Sequence, residues 1–215
     1  MNVLISILCA IAGYLIGSIP FGFLIVKMIK GEDVREFGSG RTGGTNVFRA
    51  AGFPAGLATA ILDIGKGMLA VTVARALFGT QTNGWAEALA GIGVILGHNH
   101  SCFLGFKGGA GGATAVGTGM ALWWGAGVPA LIFGCVMLFI VGYASLATIA
   151  AALSVAVVFT IAAFVHFGNF SWSYAAYGWI VLGLCVVALR PNIQRLMNGT
   201  ERRVEILKNL GKRVS

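Results

Sequence analysis

Apolar runs long enough to cross a bilayer set the tightest limit on what this chain can fold into. No charged residue occurs from Val3 to Val26, and none from Ala113 to Val141. About 20 consecutive apolar residues span a bilayer's hydrocarbon core as a helix. Inside that core every backbone N–H and C=O must be satisfied within the protein, so such runs read as helices. Further runs cover Pro54–Phe78, Ala88–Phe103, the stretch from Gly142–Ser145 to Phe164, and Tyr174–Leu189. The 113–141 run is too long for one tilted helix. It contains "GAGVP", a glycine–proline break at Gly125–Pro129, and is read as two spans divided there. The expectation is an all-α polytopic membrane protein: one domain over residues 1–215, a bundle of about seven transmembrane helices.

Charge placement orients the bundle. The net charge of +8 could suggest nucleic acid as a partner, but only 10% of residues are charged and the cations fall in blocks. Those blocks are Lys27–Arg49, Lys107 and Arg190–Arg213, the ends of apolar segments. Cations gathered on one side of a membrane mark the cytoplasmic face. An odd number of spans then puts the N-terminus outside and the C-terminus in the cytoplasm, in a bacterial plasma membrane. Trp85, Trp123, Trp124 and Trp172 fall at outer-side turns, as an interfacial aromatic belt does, with Arg75 toward the same face. The opening MNVLISILCA lacks a basic leader and its apolar run is too long for a signal peptide, so it is read as a retained span. Cys9, Cys102, Cys135 and Cys185 lie in or beside apolar runs without metal-ligand spacing. They read as packing residues, and neither a metal nor a cofactor is expected.

Polar residues on the cytoplasmic side are dense in two places. "EFGSGRTGGTNVFRAAG", Glu36–Gly52, supplies Ser39, Arg41, Thr42, Thr45, Asn46 and Arg49 among glycines. "GFKGGAGGAT", residues 105–114, sets Lys107 beside Gly108 and Gly109. Hydroxyls, guanidiniums, an ammonium and glycine-rich backbone suit an anion such as phosphate. Either stretch also reads as a flexible loop or a helix joint. In a span, Asp63 and Lys66 share a helix face at i,i+3 and can pair; ionisable groups there are costly and tend to mark function. His98 and His100 do not share a face and read as structural histidines. Past the last span, Asn192, Arg195, Asn198 and Glu201 reach the cytoplasmic surface, as a site or as a solvated helix end.

Taken together and in order, these segments resemble the PlsY-type acyl-phosphate:glycerol-3-phosphate acyltransferases. "GSGRTGGTNVFRAAG" is similar to that family's first motif, GSGNxGATNxxR. "LDIGKG" resembles a D-x-x-K-G element, and "GHNHSCFLGFKGGAGGAT" a second motif, GHxxPxFxxFKGGKGxAT. "GYASLATI" resembles a serine-bearing turn, and "PNIQRLMNGTE" a third motif, HxxNxxRLxxGxE. The resemblance implies transfer of a fatty acyl group from acyl phosphate to the 1-hydroxyl of glycerol 3-phosphate, giving lysophosphatidic acid and phosphate. It implies catalytic roles for Ser39, Asn46, Arg49, Lys107, Ser145 and Asn192. Arg41, Thr45, Gly108, Gly109, Arg195 and Glu201 would bind substrate phosphate. The partners it implies are glycerol 3-phosphate, fatty acyl phosphate and membrane lipid, at a site expected to face the cytoplasm. Three positions depart from the motifs: Arg41 replaces asparagine, Ala110 a lysine, and Leu189 the histidine three places before Asn192. The competing class is a small transporter or non-enzymatic lipid- or anion-binding relative that retains the phosphate site.

Overall fold

A computed structural model describes residues 3–79, 82, 84–166 and 171–204. The expected polar turn at His166–Ser173 and the basic tail therefore lie partly outside the described residues. The helices in chain order are α1 (Val3–Ser18), α2 (Phe21–Lys30), α3 (Gly44–Ala51), α4 (Phe53–Phe78) and α5 (Trp85–Asn99). They continue as α6 (Gly112–Leu122), α7 (Trp124–Val136), α8 (Ala144–Phe164), α9 (Trp172–Ala188) and α10 (Arg190–Met197). Among the described residues, four stretches are long and apolar enough to cross a membrane: Val3–Lys30, Phe53–Phe78, Trp124–Val141 and Ala144–Phe164. A fifth is added if α9 and α10, bent by 64°, count as one.

Several expected boundaries are corrected. The first span is not one helix to Val26: it breaks at Ile19–Pro20 and resumes as α2 to Lys30. Proline lacks the N–H that would continue the helical bonding. The carbonyls left over at the break are taken by side chains from other elements. Ser101 Oγ donates to Ser18 O at 2.6 Å and Lys66 Nζ donates to Ile19 O at 3.0 Å. The 113–141 run divides at Trp123, an extended residue with φ −165° and ψ 127°, and not at Gly125–Pro129. Pro129 lies in the second turn of α7, where the loss of one bond leaves the helix intact. A π-helical stretch, Met137–Val141, carries α7 to Gly142, whose φ of +84° closes the segment. The span expected at Ala88–Phe103 starts earlier and stops at Asn99; a short 3-10 turn, Cys102–Leu104, follows.

Small residues set the packing. Side chains placed on Gly13 or Gly17 of α1 would strike the backbone of Ala90 or Val94. Side chains on Gly93 or Gly97 of α5 would strike that of Ala10 or Tyr14. Two glycine pairs at i,i+4 thus face each other, the arrangement by which membrane helices approach closely without a hydrophobic drive. On α1 the opposite face, Leu4, Ile7, Leu8, Ile11 and Leu15, is exposed and suits lipid. The interior is filled by Val94, Ile95, Val155, Phe159, Tyr177 and Val181, with Thr118 and Tyr177 joined through their hydroxyls. Below the Pro20 break sits a polar layer. Lys66 Nζ pairs with Asp63 Oδ1 at 2.8 Å, both side chains 3% exposed, and His98 Nδ1 faces the same oxygen at 3.5 Å.

Candidate active site

At the end of the bundle where α9 meets α10, residues far apart in sequence join in one polar network. It begins with the first loop. Asn46, in α3, is 2% exposed. Its Nδ2 donates to Val34 O, Phe37 O and Arg41 O at 2.9, 3.0 and 2.8 Å, and its Oδ1 accepts from Ser39 N–H at 2.9 Å. Asn46 therefore shapes the loop from within, with both ends of its amide bonded to backbone. Asp33 and Arg35 brace the same loop with an ion pair at 2.6 Å, and Arg35 Nη1 donates to Leu104 O at 3.1 Å. Hydrogen bonding from Arg35 holds the Asp33 carboxyl below the usual carboxylate range.

The glycine loop lies flat on the end of α5. Gly109 N–H donates to His98 O at 2.8 Å and Thr42 N–H donates to Gly108 O at 3.4 Å. A side chain at Gly108 would collide with the backbone carbonyls of His98 and Asn99, and one at Gly109 with the His98 ring. These glycines are required by close packing. The Gly109 N–H is thereby committed to protein, while Lys107 beside it is exposed.

Arg41 links this loop to the α9–α10 corner. Its Nη1 donates to Gly109 O at 3.4 Å; its Nη2 donates to Ala188 O and, at 3.2 Å, to Asn192 Oδ1. Asn192 Nδ2 donates to Glu201 Oε1 at 3.0 Å, and Ser145 Oγ donates to Glu201 Oε2 at 2.8 Å. A turn after α10, in which Arg195 O accepts from the N–H groups of Thr200 and Glu201, folds the carboxylate back under Asn192. Arg49 Nη2 donates to Arg202 O at 3.2 Å, and Val204 N–H donates to Gly142 O at 2.7 Å, so residues 201–204 cross between α3 and the start of α8. Burial lowers the Arg41 guanidinium from its usual range, with Arg195 adding repulsion. Burial lowers Arg49 likewise, with Arg202 as its like-charged neighbour. Arginines stay charged despite such shifts.

Of the expected residues, Arg41, Gly109, Ser145, Asn192 and Glu201 are thus joined directly. Arg49 is tied in through the 201–204 strap, and Ser39 and Asn46 through the Arg41 loop. Among the described residues, no hydrogen bond or ion pair ties the side chains of Thr45, Lys107 or Arg195 to this network; they stand beside its members in the chain. Two contributions went unforeseen. Thr42 anchors the first loop to the glycine loop through its backbone, for which side-chain chemistry gives no signal. The Asp63–Lys66 pair was legible from its spacing, but not that His98 joins it beneath the glycine loop.

Cations outnumber carboxylates here: Arg41 and Arg49 both act on Glu201, with Arg195 and Arg202 as their like-charged neighbours. Such a site can hold two anionic groups that would otherwise repel each other and can stabilise charge on a departing phosphate. Comparison with known proteins agrees with that chemistry. A sequence model described as glycerol-3-phosphate acyltransferase matches residues 7–199. A glycerol-3-phosphate acyltransferase of Prochlorococcus marinus is 40% identical over 199 residues, 93% of this chain and 98% of the relative. One from Rhodospirillum rubrum is 40% identical over 210 residues, 95% of this chain and 93% of the relative. The crystal structure of PlsY, an integral membrane glycerol 3-phosphate acyltransferase, in its glycerol 3-phosphate form superposes with a TM-score of 0.83 at 34% identity. That match covers 95% of this chain and 98% of the PlsY chain. The lysophosphatidic acid form of the same enzyme gives 0.79 at 32% identity.

Proposed function

The chain belongs to the glycerol-3-phosphate acyltransferase family, and we propose that it moves a fatty acyl group from acyl phosphate to the 1-hydroxyl of glycerol 3-phosphate. The products are lysophosphatidic acid and inorganic phosphate. Similarity over nearly the full length to proteins named for this activity favours an acyltransferase over a transporter or a non-enzymatic anion-binding relative. The observation that carries the reading is the convergence of Arg41, Ser145, Asn192 and Glu201 on one network beside Arg49 and the glycine loop.

The chemistry follows from the donor. An acyl phosphate is an activated mixed anhydride, so the enzyme chiefly brings two anions together and aligns a hydroxyl. The oxygen of the 1-hydroxyl forms a bond to the acyl carbonyl carbon. The bond from that carbon to the phosphate oxygen breaks, and the hydroxyl proton leaves with the departing phosphate. Arg49 and Lys107 neutralise the phosphates, while the Gly108–Gly109 backbone, packed on the end of α5, holds Lys107 at the site, with Thr45 and Arg195 at the rim. Ser39 and Ser145 supply hydroxyls; the Ser145 proton points to Glu201, which leaves its oxygen lone pairs to accept from the substrate hydroxyl. Asn46 and Asn192 act by holding neighbours in place. The acyl chain lies between helices, open to lipid.

The finer topology belongs to the same proposal. Seven membrane-crossing segments, with α5 and α6 as short members, put the N-terminus outside and the C-terminus in the cytoplasm. The grouping of lysines and arginines at the site end supports this. The protein then sits in a bacterial plasma membrane with its active site on the cytoplasmic face. The decisive assay is purified protein with radiolabelled glycerol 3-phosphate and palmitoyl phosphate, following lysophosphatidic acid, with palmitoyl coenzyme A in parallel. Product from palmitoyl phosphate alone is expected. Glycerol 3-phosphate binding with no product from either donor would overturn the enzyme reading.

A further inference from the structure

Arg41 touches three separate segments with one planar group: the glycine loop at Gly109 O, the last turn of α9 at Ala188 O, and α10 at Asn192 Oδ1. Three of its five N–H donors, both of those on Nη2 among them, therefore go to protein acceptors. The placement is favourable twice over. Helix C-terminal carbonyls carry partial negative charge, and a cation there both caps and neutralises them. A guanidinium presents several donors in a rigid fork, which a lysine ammonium cannot reproduce.

Asn192 is the member whose orientation depends on this contact. Its Nδ2 faces Glu201 Oε1, and its Oδ1 must then meet a donor, which only Arg41 supplies among the described residues. Glu201 in turn receives Asn192 on one oxygen and Ser145 on the other. The chain Arg41–Asn192–Glu201–Ser145 alternates donor and acceptor without a mismatch, and networks of that kind depend on every link.

We propose that Arg41 is a positioning residue of the acyl-transfer site: it locks the α9–α10 corner onto the glycine loop and fixes Asn192 so that Glu201 aims the Ser145 hydroxyl. The inference rests on the acyltransferase reading above, and differs from a role for Arg41 as a direct phosphate ligand.

The test uses the full-length protein in detergent, with palmitoyl phosphate and glycerol 3-phosphate as substrates. Four variants are compared with wild type: Arg41→Gln, Arg41→Lys, Asn192→Ala, and Arg41→Gln combined with Asn192→Ala. For Arg41→Gln, kcat should fall by about tenfold to a hundredfold, as for loss of an orienting group. KM for glycerol 3-phosphate should stay within about threefold, because no substrate contact is removed. Lysine should restore less than about a third of the rate, since one point charge cannot bridge three acceptors. In the Asn192→Ala background, Arg41→Gln should cost less than about a further threefold, the non-additivity expected of linked residues. A raised KM with normal kcat, independent additive losses, or full activity with lysine would each overturn the inference. Thermal midpoints control for folding, and if the glutamine variant does not fold, the lysine variant carries the same kcat and KM comparison. A wild type inert with both substrates overturns the acyltransferase reading, and this inference with it. An active wild type with the contrary pattern overturns the inference alone.

Discussion

Ser145 Oγ and Glu201 Oε2 lie 2.8 Å apart across 56 residues of sequence, with the hydroxyl as donor. Because Glu201 Oε1 accepts from Asn192 Nδ2, the carboxylate receives one donor on each oxygen. Glu201→Gln breaks that symmetry at constant size. Its amide presents N–H groups to one of two donors, so either Asn192 is opposed or the Ser145 hydroxyl must reverse. Losing a charge-assisted bond costs about 1.5–3 kcal/mol, tenfold or more in rate where it acts on the transition state. Steady-state rates on the folded variant test this. An unchanged kcat would mean that Glu201 does not orient Ser145.

Lys107→Ala isolates charge from fold. The side chain is exposed and lies next to glycines held by backbone bonds, Gly109 to α5 at His98 O and Gly108 to the first loop at Thr42. Surface changes away from packed features stay within about 0.5 kcal/mol of stability. The thermal midpoint should hardly move, while activity should drop at least about tenfold through loss of a phosphate contact. Near-normal kinetics would leave the loop as a helix joint only.

How much of this was legible beforehand depended on the kind of signal. Apolar run length located α4 and α8 to within a residue or so, because lipid demands length and apolarity directly. Breaks inside runs were harder. Pro20 ends α1, yet Pro129 sits within α7, since a proline's effect depends on whether nearby groups can satisfy the freed carbonyls. The motif stretches were legible as candidates, but which of their side chains bond to the protein itself was not. Asn46 and Arg41 face inward onto backbone carbonyls, and nothing in residue type separates a side chain that holds a loop from one that holds a substrate.

The polar layer under the Pro20 break makes a stability prediction. Lys66→Met leaves the Asp63 carboxylate buried without its ammonium partner, a loss that typically costs about 3–5 kcal/mol. Adding Asp63→Asn removes the orphaned charge, so the double variant should unfold at a higher temperature than Lys66→Met alone. It should still fall short of wild type, because Ile19 O loses the Lys66 donor and keeps only the Phe21 N–H. Thermal unfolding in detergent reads both steps; strictly additive losses would count against the pair.

Topology can be checked without purification. A reporter active only in the cytoplasm should work when fused after Ser215, and one active only outside should work at the N-terminus. The grouping of cations at the site end is the physical basis. A silent but well-inserted C-terminal fusion would rule out this orientation.

Leu189 offers the sharpest test of how this chain departs from its family's motif. The residue is 3% exposed and sits at the bend between α9 and α10, where its carbonyl accepts from Asn192 and Ile193 N–H groups. An imidazole there must be desolvated, at about 1–3 kcal/mol if unpaired. Two acceptors at this bend, Ala188 O and Asn192 Oδ1, already receive the Arg41 guanidinium. Leu189→His alone should lower the thermal midpoint and leave the rate within about threefold of wild type, under 1 kcal/mol in barrier. Arg41→Asn frees those acceptors and makes room. In that background, histidine at position 189 has a partner to gain, and it should raise the rate of the Arg41→Asn protein by about tenfold. The coupling between the two sites is the quantity to measure, from four proteins assayed side by side. A histidine that accelerates the wild type as strongly as the Arg41→Asn variant would mean that the guanidinium and the imidazole do separate work.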